Sequence, residues 1–386
     1  MKLAYVTIKH AEQLGKATEW SGTGYYVAEA LKHQGESLDY LGPLEDKVFP
    51  HAARKLKRHY YERFFQKRYL KDTDPSTLRS YANQVSKKLK QASYKAVLSA
   101  TINPIAYLEC KQPILFWADA TFQNTAEFYP KYSNLCRESV AKGHEMERLA
   151  IENCRFAIYS SHWAAQTAID FYKADPEKVK VVPFGSNLES NLTTEEIGRL
   201  VKSRSSTTCK LIFIGVDWIR KGGDKALKVA QALHESGIPT ELKILGCQPP
   251  AELILPDFVQ PLGYISKFTQ SGQDKIAQLI SDSHFLILPT LADCSPIVFC
   301  EANAFGVPCL TTDVGGIPTI VKSDSNGRLF DVQASTDEYR DYISDVFFDY
   351  ARYKEMALAS FDAYKTRLNW NTAGKSVKRL LAEALN

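Results

Sequence analysis

Two carboxylates with seven residues between them, Asp293 and Glu301, flank a Ser295-Pro296 step in the segment Phe285-Leu-Ile-Leu-Pro-Thr-Leu-Ala-Asp-Cys-Ser-Pro-Ile-Val-Phe-Cys-Glu. The apolar run up to Pro289 reads as a buried strand, and Ser295 and Pro296 as the N-cap and first residue of a helix that closes before Gly306. A helix started in this way leaves the backbone N–H groups of Ile297, Val298 and Phe299 without intrahelical partners, at the positive end of the helix dipole. That is an anion site suited to a diphosphate. Asp293 in the loop and Glu301 in the helix could then reach one ligand from different sides.

Two further segments supply complementary chemistry. In Ile212-Phe-Ile-Gly-Val-Asp-Trp-Ile-Arg-Lys-Gly-Gly-Asp a strand and a loop lead to Arg220 and Lys221 ahead of a helix, which puts two cations at the carboxyl end of a strand. The loop Ser21-Gly22-Thr23-Gly24 opens another helix, and its glycines let a phosphate or a sugar approach backbone N–H groups closely. Each piece has a plainer reading: a dipole partner for the acid, surface charge for the cations, a simple turn for the glycines. Asp72-Thr-Asp74 spells a D-x-D metal motif, but Asp74-Pro75 reads as the cap and first residue of a helix, and His144 and His162 lack ligand spacing. No metal is therefore expected. The eight cysteines form no C-x-x-C pair and sit mostly in apolar runs, as reduced thiols of a cytosolic protein do.

The elements that must position these residues follow from hydropathy patterning. Strand-like runs at 3–8, 37–41, 96–100, 114–118, 156–160 and 179–183 alternate with helical periods, and the order restarts with strands at 210–215 and 241–246 around a helix at 224–236. Such alternation predicts an α/β chain of two doubly wound Rossmann-like domains facing a cleft, where ligands bind beyond the carboxyl ends of strands. The expected division is a first domain at 1–190, a second at 206–368, and a C-terminal helix at 369–386 packing back on the first. The boundary falls in the polar stretch 187–208, where nothing alternates with strand period.

Length and charge bound the answer further. At 386 residues, 45% hydrophobic and 24% charged, the chain has the make-up of a globular protein with two cores. No apolar run approaches the roughly 20 residues of a membrane span. The formal charge of +4 is unevenly spread: residues 51–95 carry thirteen Lys and Arg against three acids, a net +10, leaving −6 elsewhere. Tyr60, Tyr61, Phe64, Phe65 and Tyr69 make the first half of this stretch an amphipathic helix, expected to turn its aromatics to the core and its cations outward. It is either a solvated face on a helical insertion or a surface that meets an anionic membrane or polyanion. Nucleic acid is not expected, since no recognition-helix, RNP or zinc-finger signature accompanies the charge.

Taken together, these segments resemble the retaining glycosyltransferases of family 4, which have the two-domain GT-B fold. The family's pattern of an acid, seven residues, then Glu-Ala-x-Ala-x-Gly-x-Pro is matched by Asp293 and Glu301-Ala-Asn-Ala-Phe-Gly-Val-Pro. The likeness extends to Phe213-Ile-Gly with Lys221-Gly, to residues 161–187, to Gly22–Gly24 and to Leu262-Gly-Tyr-Ile-Ser. The resemblance implies that Glu301 binds the ribose hydroxyls of a nucleotide-sugar and Asp293 its sugar. It implies further that Lys221, with N–H groups of Ile297 and Val298 beside Ser295, neutralises the diphosphate. Tyr264 and Ile265 would meet the base, and Gly22 and Gly24 would face the diphosphate and acceptor. Asp293 stands where Glu is usual and Val216 where Arg is usual, Arg220 being placed to supply the charge; Asp119 takes the place of a histidine near the reacting sugar. The implied activity is transfer of a hexose from a UDP-sugar to a saccharide or lipid-linked saccharide, with no cofactor, in the cytoplasm and peripherally at the inner membrane face. Two rivals remain: an NAD-dependent enzyme using Gly22-Thr-Gly24, whose third fingerprint glycine would be Val27, and a catalytically silent carbohydrate-binding protein.

Overall fold

The computed structural model describes residues 1–15, 22–46, 51–126 and 128–386, the first three residues of the helix beginning at His51 by backbone only. The chain divides into two compact units, Met1–Pro183 with Ala373–Asn386, and Phe184–Thr372. In the first, strands β1 (Lys2–Val6), β2 (Ser37–Tyr40), β3 (Ala96–Ser99), β4 (Ile114–Ala118), β5 (Phe156–Tyr159) and β6 (Val179–Val181) form a sheet in the order β2-β1-β3-β4-β5-β6. In the second, β7 (Cys209–Ile214), β8 (Thr240–Leu245), β9 (Val259–Gly263), β10 (Phe285–Leu288), β11 (Cys309–Thr312) and β12 (Gly327–Phe330) lie in the order β12-β11-β10-β7-β8-β9. Every described pairing is parallel. β3, β4, β5 and β10 are buried throughout, as strands covered by helices on both faces must be.

Each sheet reverses its direction of growth beside its first strand, and in the second unit that point lies between β7 and β10. The side chains beyond these two carboxyl ends are the ones a ligand would meet.

The polar stretch 187–208 is not a linker. The division falls between Pro183 and Phe184, and a helix at Thr194–Ser203, opened by a Thr193–Glu196 capping box, buries Ile197 and Val201 in the second core. Arg204 follows it into the interior, donating to the carbonyls of Ser281, Phe305 and Gly306 and to the Tyr353 hydroxyl. Polar composition here marks a helix with one thin apolar face and a buried arginine, not a mobile connection. The last helix, Trp370–Ala384, begins with Trp370 donating to Asn187 Oδ1 at 3.0 Å. It continues in the first unit, where Gly374 lies so close to the Ala30 carbonyl that a Cβ would sit 2.4 Å from it.

The aromatics of the basic segment do not turn to the core. In the helix His51–Phe65, Tyr60 is 48% exposed, Phe64 72% and Phe65 55%, and Leu56 is 70% exposed; of the aromatics expected inside, Tyr69 alone is buried. Polar contacts seat the other side of this helix: Arg54 on Asp46 and Thr77, Lys57 on Glu138, and the Tyr61 hydroxyl donating to Glu138. Asp74 accepts from the N–H and hydroxyl of Ser76 at the start of the helix Pro75–Leu89, so half of the D-x-D pair is occupied as a cap. Six of the eight cysteines are buried.

Candidate functional site

The second unit's site is built on the two loops beyond its switch point. After β7 the chain turns sharply through 215–222, pinned by Trp218, whose ring lies 5.7 Å from Phe213 and whose indole N–H donates to Asp224 at 2.8 Å. Gly222 adopts a left-handed φ of 76°, and a Cβ there would meet the Pro289 carbonyl oxygen at 2.0 Å. Only glycine lets the β7 loop approach the β10 loop so closely. The two are then stitched together by the N–H of Leu291 and the hydroxyl of Thr290, both donating to the Arg220 carbonyl.

That approach brings three of the expected residues together. Lys221 forms a buried ion pair with Asp293. Arg220 stands 4.0 Å from the same carboxylate, donates to the Ala292 carbonyl at 2.8 Å and pairs with Asp217. In the helix Ile297–Asn303, Glu301 is fully buried: one oxygen pairs with Lys267, and Oε1 has no hydrogen-bond partner among the described residues. A carboxylate oxygen buried without a donor costs free energy that a ligand hydroxyl would recover.

The helix start differs from expectation by one residue. Pro296, extended at ψ 101°, is the N-cap, and Ser295 makes no cap; its hydroxyl is buried without a partner among the described residues. A serine side chain one position before the cap cannot reach the N–H groups two and three residues inside the helix. The Phe299 N–H is also not free, since it donates to the Pro296 carbonyl at 3.2 Å. The N–H groups of Ile297 and Val298 have no partner among the described residues. Tyr264, beyond β9, is largely exposed, and the adjacent Ile265 packs on the core.

Gly22, Gly24 and Asp119 belong to the first unit. Ser21 lies outside the described residues. Gly22 caps the helix Thr23–Lys32 with φ 105°, but the Gly24 carbonyl accepts from the buried Tyr5 hydroxyl at 2.6 Å, so Gly24 is also a packing position against β1. Asp119, half-buried after β4, is not the cap of the short helix that follows, because Thr121 and Asn124 form that capping box. It lines a cavity of about 120 Å3 with Thr101, Asn103, Thr121 and Glu147.

Sequence reasoning missed Lys267 and Glu147. Nothing in the pattern around Lys267 points to Glu301, 34 residues away. Glu147 had a signal: it shares the helix face of Gly143, Met146, Ala150 and Ile151, where a charge is out of place. Fully buried, it accepts from the Phe122 N–H at 2.8 Å and the Tyr159 hydroxyl at 3.0 Å, and burial, reinforced by Asp119, pushes its carboxyl up to about 7. Between about pH 4.5 and 7 the folded chain therefore holds a proton that the unfolded chain releases, and stability falls as pH rises through that window. Glu147→Gln cannot ionise and should remove this fall. By pH 8 the variant should exceed the wild type by roughly 3 kcal/mol in denaturant unfolding. A difference that does not change with pH would contradict it.

Residues 200–360 match the family of glycosyl transferases group 1. Among curated proteins, the D-inositol 3-phosphate glycosyltransferase of Nocardia farcinica is 23% identical over 242 residues, 57% of this chain and 51% of that protein. The chain spans about half the length of the curated relatives it matches. Among solved structures, sucrose-phosphate synthase from Thermosynechococcus elongatus superposes with a TM-score of 0.68 at 16% identity, covering 99% of this chain and 98% of that one. HepE of Anabaena, in complex with UDP-glucose, gives 0.61 at 14% identity over 99% and 100%. Likeness of this kind identifies the fold as GT-B.

Proposed function

We propose that this chain, whose residues 200–360 are a group 1 glycosyl transferase domain carried on a GT-B fold, moves a hexose from a nucleotide-sugar to a saccharide or lipid-linked saccharide. The observation that carries the reading is what the switch point gathers, cations suited to an anion and a carboxylate suited to hydroxyls. Cations from one loop stand beside an acid from the other, next to a helix holding a fully buried carboxylate with an unpartnered oxygen. A sugar nucleotide satisfies both, because its diphosphate suits Lys221 and Arg220 and its ribose hydroxyls suit Glu301.

In this reading the diphosphate displaces Asp293 from Lys221, and the freed carboxylate accepts hydroxyls of the donor sugar. As the bond from the anomeric carbon to the phosphate oxygen breaks, negative charge grows on the phosphate, and Lys221 and Arg220, with the N–H groups of Ile297 and Val298, stabilise it. The acceptor oxygen forms its bond to the anomeric carbon on the same face that the phosphate leaves, and the departing phosphate oxygen takes the acceptor's proton, so the sugar keeps its anomeric configuration and no enzymic nucleophile is needed. UDP-glucose or a close relative is the favoured donor, in keeping with the UDP-glucose bound by HepE. Asp119 near the reacting sugar, Tyr264 and Ile265 at the base, and Gly22 and Gly24 toward the diphosphate rest on the family resemblance. The reading includes no cofactor and places the work in the cytoplasm at the inner membrane face.

A donor screen tests it. UDP-, GDP- and ADP-sugars are supplied with simple glycosides, with and without a chelator, and nucleotide release and product anomers are followed by NMR. Release of UDP with retained configuration, undiminished by the chelator, is expected. Nucleotide binding without turnover would leave a silent binding protein.

A further inference from the structure

Helix His51–Phe65 wears its amphipathicity inside out. Its polar side is seated on the first unit through Arg54, Lys57 and Tyr61, and its apolar side faces solvent. Leu56, Tyr60 and Phe64 recur every four residues and form one stripe, with the Tyr60 ring 5.5 Å from Phe64 and 5.4 Å from Phe65. Lys55, His59 and Arg63 each precede a member of that stripe by one position and run alongside it. Among the described residues none of these three has an ionic partner, and the helix carries a single acid, Glu62, facing Arg58 at 3.8 Å.

An exposed apolar stripe on a soluble unit is destabilising to keep unless something covers it. We propose that this helix is a docking surface for an anionic lipid membrane, with Leu56, Tyr60 and Phe64 entering the headgroup–acyl boundary and Lys55, His59 and Arg63 meeting lipid phosphates. Charge complementarity selects this occupant. A second copy would bring the same helix, with five Lys and Arg against one acid, onto the first, whereas a bilayer of acidic lipids offers apolar depth and negative charge side by side. An aromatic belonging to such a stripe suits the interface, because the tyrosine hydroxyl stays wet while its ring is buried. The surface rests on this one helix and not on the reading of the donor site: vesicle binding would stand if transfer were never found, and transfer would stand if binding failed.

The test uses the full chain with vesicles of phosphatidylcholine alone or of phosphatidylcholine and phosphatidylglycerol in equal parts, followed by co-flotation. The wild type should float with the mixed vesicles at low salt and stay in solution with the neutral ones. Reversing Lys55 and Arg63 to Glu should weaken binding about a hundredfold and leave little for added salt to weaken. L56S/F64S should weaken it about tenfold or more while its remaining binding stays salt-sensitive. All four side chains are exposed, so thermal melts of the variants should match the wild type. Equal retention on neutral and mixed vesicles, or variants that float like the wild type, would overturn the proposal. So would a lipid-free dimer that L56S/F64S turns to monomer, which would assign the stripe to a second copy.

Discussion

Glu301→Ala should lower kcat/KM for the nucleotide-sugar about a thousandfold, with most of the loss in KM. The carboxylate is fully buried, holds Lys267 with one oxygen and leaves the other without a donor. Ribose hydroxyls would donate to it both before and during transfer, so removing it takes away binding that is uniform along the reaction. Hydrogen bonds to a charged group contribute about 1.5–3 kcal/mol each, and two of them account for a loss of this size. Folding should suffer less than activity. The cation left behind, Lys267, is a third exposed and can turn to water, unlike a charge stranded in the core. Steady-state kinetics beside a thermal melt checks both halves. A variant of near-normal KM would remove Glu301 from the donor site, and a variant that fails to fold would make its role structural.

Lys221→Ala should show the opposite partition. In the proposed reaction its cation meets charge that grows as the glycosidic bond to phosphate breaks, so the larger loss should fall on kcat, about 100- to 1,000-fold, as with other groups aimed at developing charge. Stability should also drop, by about 3 kcal/mol, because Asp293 is buried and its remaining cation, Arg220, stands 4.0 Å away. Adding Asp293→Asn to the variant separates the two effects: it removes the stranded carboxylate and should restore most of the melting temperature without restoring turnover. Recovery of both together would mean that Lys221 acts only by balancing Asp293.

How far these roles could be read from the chain itself depended on the kind of signal each residue leaves. The apolar runs of β4 and β10 are short, continuous and bounded by turn residues, so their ends, and with them Asp119 and Asp293, were placed closely. Lys221 was legible because the apolar run ending at Ile214 reads as a strand and a helical period begins just after Lys221, which puts it at the strand's carboxyl end. Its pairing with Asp293 was not, since that depends on β10 lying beside β7 in the sheet, with Phe285 opposite Leu211, 74 residues away in sequence. Lys267 left no trace for the same reason. The cap slipped from Ser295 to Pro296 because composition favours serine there, while the backbone decides the position by where extended dihedrals end. Helix Thr194–Ser203 was hidden by polar composition, its apolar face being little more than Ile197 and Val201. The outward turn of Tyr60 and Phe64 ran against the rule that amphipathic helices bury their apolar side. That rule fails where ion pairs such as Lys57–Glu138 seat the polar side instead.

The Lys221–Asp293 pair and the buried Glu301 are proposed to form together a site for a nucleoside diphosphate. Calorimetric titration of UDP into the wild type, Glu301→Ala and Lys221→Ala, with NAD as the competing ligand, meets it most directly. Binding in the micromolar range by the wild type, unaffected by NAD, is the predicted result, greatly weakened in Glu301→Ala and weakened also in Lys221→Ala, because free UDP already carries the charge that in the reaction only develops as the bond breaks. Unchanged UDP binding in both variants, or displacement of UDP by NAD, would contradict it.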